Sequence, residues 1–287
     1  MAPIVEARLI GGRLGNKMFQ TMLAHALARR VPGAVVTGDP LPEFGLTPPT
    51  LPRPVRHVTM HGHRPDMDRA AALLAGGEVD AVVTWALGCR MEYIEPVGTV
   101  RALFPRAAPA IPGYGPDRLL INIRAPYMRR PSDTRVHASY CPLPLAYYER
   151  LIAGTGLRPV FLGQIGRDAY SAALRARFPD AEFQPSRGAM VDFETIRASH
   201  HVCVAVSTFS WLATWLSDAA TIHLPIAGLY HPGLRQDIDL LPVADPRYRF
   251  HLFAPRPWGG LPADLAAAVD GTETGEEVSA EAAAALV

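Results

Sequence analysis

Lysine is all but missing from this 287-residue chain, where Lys17 is the only one, and the formal net charge is +1. So balanced a chain offers no electrostatic grip on nucleic acid or on an anionic membrane. Cysteine is also scarce. Cys89, Cys141 and Cys203 stand far apart, which excludes a disulfide framework and the paired spacings of a zinc site. Apolar runs are short, well below the roughly eighteen residues a spanning helix needs, so no membrane span is expected. The opening MAPIVEARLIGG has no basic segment leading into a long apolar one. It is therefore not read as a signal peptide, and a cytoplasmic location is expected. No G-x-S-x-G elbow occurs, and no repeat of fixed period. What the chain does have is alanine and arginine, as in proteins of GC-rich bacteria, with 28 prolines, 24 glycines and a hydrophobic fraction of 49% that allows a sizeable core.

The pattern along the chain is that of alternating strands and helices. IVEARLI reads as a strand, MFQTMLAHALARR as a helix, and AVV at 34–36 as a second strand. Residues 40–65 are proline-rich and resist assignment. A short helix at 68–76 and the strand AVVTWAL follow, and PRAAPAIPGYGPD at 105–117 reads as a linker. After it, RLLINI, PVFLG, AEFQ, HVCVAV and ATIHLPI are strands, separated by helices at LAYYERLIAG, DAYSAALRARF, MVDFETIRAS and STFSWLATWL. Such alternation predicts a parallel, doubly wound sheet whose ligand lies beyond the carboxyl ends of the strands. Residues 262–287 are mostly alanine, glutamate and small residues, expected to form a loose helix or none.

Four stretches could carry chemistry. GGRLGNKMFQ joins a strand to a helix through glycines. It is neither a P-loop, which needs Gly-Lys-Ser/Thr, nor a G-x-G-x-x-G dinucleotide turn. A tight turn or backbone N–H groups facing a ligand both fit it. In VAVSTFSWLATWL, Ser207, Thr208 and Ser210 precede a helix, where hydroxyls and open N–H groups favour an anion. Capping of the helix needs only one of them. Phe209, Trp211 and Trp215 read as packing residues. In LLINIRAPYMRR, Arg124 stands at a strand's carboxyl end, placed for a bidentate grip on a diphosphate or for plain solvation. In SDTRVHASYCPLPLAYYERLI, His137 sits in a loop before a helix and could act as a base. The histidines of HVTMHGH suit no zinc pattern and are expected in a loop, and the DID at 237–239 is read as a coincidental spelling of a metal–nucleotide motif.

Taken in order, these segments resemble glycosyltransferase family 11, the alpha-1,2-fucosyltransferases, part of a wider fucosyltransferase superfamily. GGRLGNKMFQ is similar, with one inserted residue, to that family's Gly-Gly-x-Gly-Asn-x-Met-Phe-Gln opening. NIRAPYM stands where the family has His-x-Arg-Arg-Gly-Asp-Tyr. VHASYCPLPLAYYERLI looks like its His-Gly stretch before a Tyr-Tyr helix, and VAVSTFSWLATWL like Ala-Asn-Ser-Thr-Phe-Ser-Trp-Trp. The resemblance spans roughly residues 8–230.

The resemblance implies an α/β, GT-B-like fold of two Rossmann-like halves. Residues 1–112 would form the acceptor side and 113–262 the nucleotide-sugar-binding half with the doubly wound parallel sheet, leaving 263–287 as a terminal tail, loosely helical or disordered. It implies metal-independent, inverting transfer of fucose or a related sugar from a GDP-sugar to a glycan or glycoside hydroxyl, with no cofactor besides that donor substrate. Arg124 would hold the donor diphosphate. Asn122, Ser207, Thr208, Phe209, Ser210 and Asp192 would border the donor. Gly12, Gly15 and Asn16 would shape the cleft, and His137 or Asp192 would be the base. Expected partners are the nucleotide sugar and a carbohydrate or glycoside acceptor. The chain departs from the family where Asn122 replaces its histidine, Ala125 its second arginine, and Pro126-Tyr127 its Gly-Asp. Those departures leave open another nucleotide sugar, or a binding relative without catalysis.

Overall fold

A computed structural model describes residues 2–9, 13–51, 56–124 and 138–287. The chain divides into two compact units, Met1–Arg106 with Asp237–Leu240, and Ala107–Gln236 with Leu241–Val287. None of the described helices is long and apolar enough to cross a membrane.

The first unit contains β1 (Ile4–Ala7), α1 (Leu14–Arg30), β2 (Val35–Gly38), β3 (His57–Gly62), α2 (Met67–Ala75), β4 (Ala81–Ala86) and α3 (Val97–Leu103). Its strands pair in parallel in the order β2-β1-β4-β3. Parallel neighbours cannot be joined by a hairpin and need crossovers. Two of these are α1 and α2, which pack Leu23, Leu27, Met67 and Leu74 with Val5, Met60 and Val82 in one core. Helix α1 starts at Leu14, earlier than the apolar spacing indicates, so Gly15 and Asn16 lie inside its first turn. The Asn16 N–H donates to the Arg13 carbonyl at 3.0 Å. Gly12 lies outside the described residues.

HVTMHGH is not a loop but carries β3, an edge strand of this sheet. Met60 is buried while His57, Thr59 and His61 face out, and with so few inward apolar residues the period-2 signal is faint. The DID segment also has a structural role. Ile238 and Leu240 are 3% and 1% exposed. The Asp239 N–H donates to the Cys89 carbonyl at 3.0 Å and its carbonyl accepts from the Met91 N–H at 2.9 Å. The alternation fastens this late segment to the first unit as a strand-like bridge.

The second unit runs β5 (Arg118–Ile123), α4 (Leu145–Thr155), β6 (Arg158–Gly163), α5 (Ala169–Arg177), β7 (Glu182–Pro185), α6 (Ala189–Arg197), β8 (His201–Cys203), α7 (Thr208–Trp215), β9 (Thr221–Ile226), β10 (Tyr248–Leu252), α8 (Pro262–Asp270), β11 (Glu276–Val278) and α9 (Ala280–Ala284). The sheet order is β11-β10-β9-β8-β5-β6-β7. Every pair is parallel except β10 with β11. Without β11 this is the strand order of doubly wound nucleotide-binding sheets, with its reversal between β5 and β8. The core is aromatic along β6, where Phe161 stacks on Phe183 at 5.3 Å.

Residues 263–287, expected as a loose helix or as a tail without structure, hold most of α8 together with β11 and α9. β11 covers the open edge of β10, pairing Phe250 with Val278 and Leu252 with Glu276. Ala283 is fully buried. Alanine is small enough to pack closely while contributing little apolar signal, so composition hides the order here.

Gly38 makes a tight backbone contact in the first unit. Its φ is +119°, and a Cβ there would lie 2.1 Å from the Ala7 carbonyl oxygen. Gly33, at φ +76°, has open space around it. Gly33→Ala should cost about 1 kcal/mol from the left-handed backbone alone. Gly38→Ala should cost at least about 3 kcal/mol, because strain and collision combine. Urea denaturation of the two variants checks this, and equal losses would refute the collision.

Candidate functional site

The reversal between β5 and β8 places two loops side by side at the carboxyl end of the second sheet. Ile121 pairs with Cys203, so the chain leaves β5 at Arg124 and β8 through Val204–Ser207 at neighbouring points of the rim. Arg124 is half-buried. Its guanidinium carbon lies 4.3 Å from the centre of the Tyr140 ring. Stacking of this kind orients the flat guanidinium.

Opposite stands the start of α7. The three hydroxyls there divide their work. Ser207 caps the helix, its Oγ accepting from the Ser210 N–H at 3.1 Å. The Ser210 Oγ accepts from the Ala205 N–H at 3.0 Å, and Ser210 is fully buried. Thr208 occupies the first helical position, 7% exposed. Capping and turn closure thus account for two of the three, while the helix start keeps its favourable field for an anion.

Tyr230 fixes this loop from below, a role the sequence did not reveal. Its hydroxyl accepts from the Ser207 N–H at 3.0 Å and lies 2.9 Å from the Ala205 carbonyl and 2.7 Å from that of Ser207. Burial raises its pKa well above that of a free phenol, so it remains a neutral donor. Gly228, at φ +48°, lets three segments meet. A Cβ there would lie 2.6 Å from the Ser139 carbonyl oxygen and 3.0 Å from both Cys141 Sγ and Val206 Cγ1. Past Gly228 lies a cavity of about 330 Å³ bordered by Cys141, Pro142, Phe253, Trp258 and Glu273. Burial raises the Cys141 thiol to about 11, which keeps it protonated and a poor nucleophile at neutral pH.

The other expected site residues have more structural surroundings. Asn122 is 6% exposed and its Nδ2 donates to the Leu162 carbonyl at 3.0 Å, clamping β5 to β6. Asp192 is 5% exposed. Its Oδ2 accepts from Ser186 Oγ and its Oδ1 from the Arg187 N–H at 3.0 Å. It follows edge strand β7, with β6 between that strand and β5. Phe209 meets Phe193 edge-on at 5.4 Å and joins α7 to α6. Gly15 and Asn16 belong to the first unit. His137 lies outside the described residues. Among the described residues, no group of three or more His, Cys, Asp or Glu side chains is placed to hold a metal ion.

A buried imidazole pair also went unread in the sequence. His223 on β9 and His251 on β10 are 8% and 3% exposed. Their Nδ1 and Nε2 atoms lie 3.1 Å apart, one donating to the other. Burial lowers His223 to about 3, helped by His251, Arg249 and His201, and lowers His251 to about 4, helped by Arg150. Both are neutral in the folded protein down to mildly acidic pH. An unfolded chain takes up protons below about pH 6.5, so it binds more protons than the native state between there and about pH 4. Stability should therefore fall with falling pH by up to about 1.4 kcal/mol per pH unit for each histidine. Urea midpoints from pH 7 to pH 5 test this, and His251→Phe should flatten the slope. An unchanged slope in that variant would refute it.

No protein-family model matches this chain, and no curated protein matches it.

Proposed function

We propose that the chain is a metal-independent, inverting glycosyltransferase with a GT-B-like arrangement, acting in the cytoplasm. It would transfer fucose or a related sugar from a GDP-sugar to a hydroxyl of a glycan or glycoside. The observation that carries this reading is Arg124, stacked on Tyr140 at the carboxyl end of β5, beside the start of α7 at the reversal of the sheet. A guanidinium and a helix N-terminus at one rim suit a diphosphate. The neighbouring cavity of about 330 Å³ is large enough for a nucleoside.

In this chemistry the acceptor oxygen forms a bond to the anomeric carbon on one face. The bond from that carbon to the diphosphate oxygen breaks on the other, and the electron pair leaves with the nucleotide. Charge grows on the leaving diphosphate, where Arg124 and the helix start would stabilise it more in the transition state than in the ground state. The acceptor proton passes to a base. Asp192 has both oxygens engaged in its own turn, which leaves His137 as the candidate to test. Asn122, engaged with Leu162, serves the fold of the donor site rather than the donor directly. That engagement also favours a second reading, a nucleotide-sugar-binding relative without turnover.

Thermal stabilisation by GDP, UDP, ADP, dTDP and NAD in the absence of metal tests the proposal. A ligand at about 100 times its Kd adds about 2.7 kcal/mol to the folded state. GDP should raise Tm, and Arg124→Ala should abolish the rise. Transfer from a GDP-sugar should fall at least about 100-fold in that variant. A shift with UDP or dTDP alone would exclude the GDP-sugar. GDP binding without turnover would favour the binding relative, and no shift with any nucleotide would sink both.

A further inference from the structure

A smaller cavity, of about 180 Å³, belongs wholly to the first unit. It is bordered by Ala7, the last residue of β1, and by Val36 within β2. Thr21 and His25, one turn apart on α1, form a wall. Asp39 stands at the rim. The roof is the proline-rich stretch that the sequence left unassigned. Leu41 and Leu46 exchange backbone hydrogen bonds of 2.9 and 3.2 Å, and Thr37 Oγ1 donates to the Pro49 carbonyl, so this loop is tied down over the cavity.

The polar groups here are mostly acceptors. Thr21 Oγ1 donates its proton to the Lys17 carbonyl at 2.9 Å, which turns its lone pairs to other donors. Asp39 accepts from the Leu9 N–H at 2.8 Å through Oδ2, and a carboxylate has further acceptor capacity. Neither ring nitrogen of His25 has a hydrogen-bond partner among the described residues. Burial, with Arg29 nearby, lowers its pKa, so the imidazole is neutral at pH 7. Besides Thr47 the remaining lining is aliphatic, including Leu41, Leu46 and Pro48, and among the described residues no arginine or lysine borders the cavity.

These features select a ligand by chemistry. With no arginine or lysine among its described lining residues, and with Asp39 at its rim, the cavity does not suit phosphate or carboxylate. With the small His25 imidazole as the one ring among its described lining residues, it offers a base little to stack on. Its volume is well under the roughly 300 Å³ at which sites for larger ligands begin, so it takes a single ring. Acceptors among aliphatic lining residues fit a ring that has a C–H face and several hydroxyl donors.

We infer that this cavity binds one uncharged sugar ring, its hydroxyls donating to His25, Thr21 and Asp39. Its identity as the place of the acceptor's terminal sugar rests on the glycosyltransferase reading, whereas binding itself does not.

The test is an NMR titration of the whole protein with methyl glycosides of neutral hexoses, reading the His25 imidazole signals assigned by their loss in His25→Gln. At least one glycoside should shift them saturably. Thr21→Val, nearly equal in shape, should weaken that binding about tenfold, the loss of about 1.4 kcal/mol, with Tm unchanged. Silence of His25 with every glycoside would overturn the inference, as would a shift of undiminished affinity in Thr21→Val, or saturation by hexose phosphates but not by neutral glycosides. A saturable His25 shift in protein that ignores every nucleotide would uphold the sugar site while the transfer reading fails. GDP binding with a silent His25 would do the reverse.

Discussion

Parallel pairing is the constraint on which the rest depends. A strand beside a parallel neighbour must be reached by a crossover, so all carboxyl ends in a sheet open on one rim and the loops that carry polar residues collect there. In the second unit the crossovers change direction between β5 and β8. No helix continues from one of these strands straight to the other, and the two loops diverge. Arg124 and the start of α7 emerge beside that gap.

Most polar groups at this rim hold one another. Ser207, Ser210 and Tyr230 close the turn before α7. Asp192 closes the turn before α6, and Asn122 bridges two strands. A buried polar atom without a partner is costly, so residues that could be chemical in isolation become structural once neighbours are in reach. Arg124 adds a contact of another kind, its guanidinium lying over the face of the Tyr140 ring.

The same economy of partners explains the interior. His223 and His251 face each other across adjacent strands where neither could remain charged. They share one hydrogen bond between neighbouring strands. The late segment at 237–240 meets its needs by backbone pairing with residues 89–91, while Ile238 and Leu240 fill apolar space.

Alternating apolar runs in RLLINI, PVFLG and ATIHLPI, with helix-spaced stretches between them, make the α/β class and the parallel sheet legible without coordinates, because strand and helix periods are local properties. Arg124 at a strand end and the serines ahead of a helix could be picked out for the same reason. Other features depend on residues far apart in sequence. The edge strand β3, with its outward histidines, and β11, which pairs with β10, become strands only because a neighbour completes their hydrogen bonds. Tyr230 reaches Ser207 across 23 residues, and Tyr140 comes under Arg124 from beyond β5. Whether Asp192 faces a ligand or its own turn, and whether a proline-rich loop roofs a cavity, is likewise decided by which partners the folded chain brings within hydrogen-bonding distance. Local sequence determines the elements and their polarity; tertiary packing alone decides which polar atoms are already engaged.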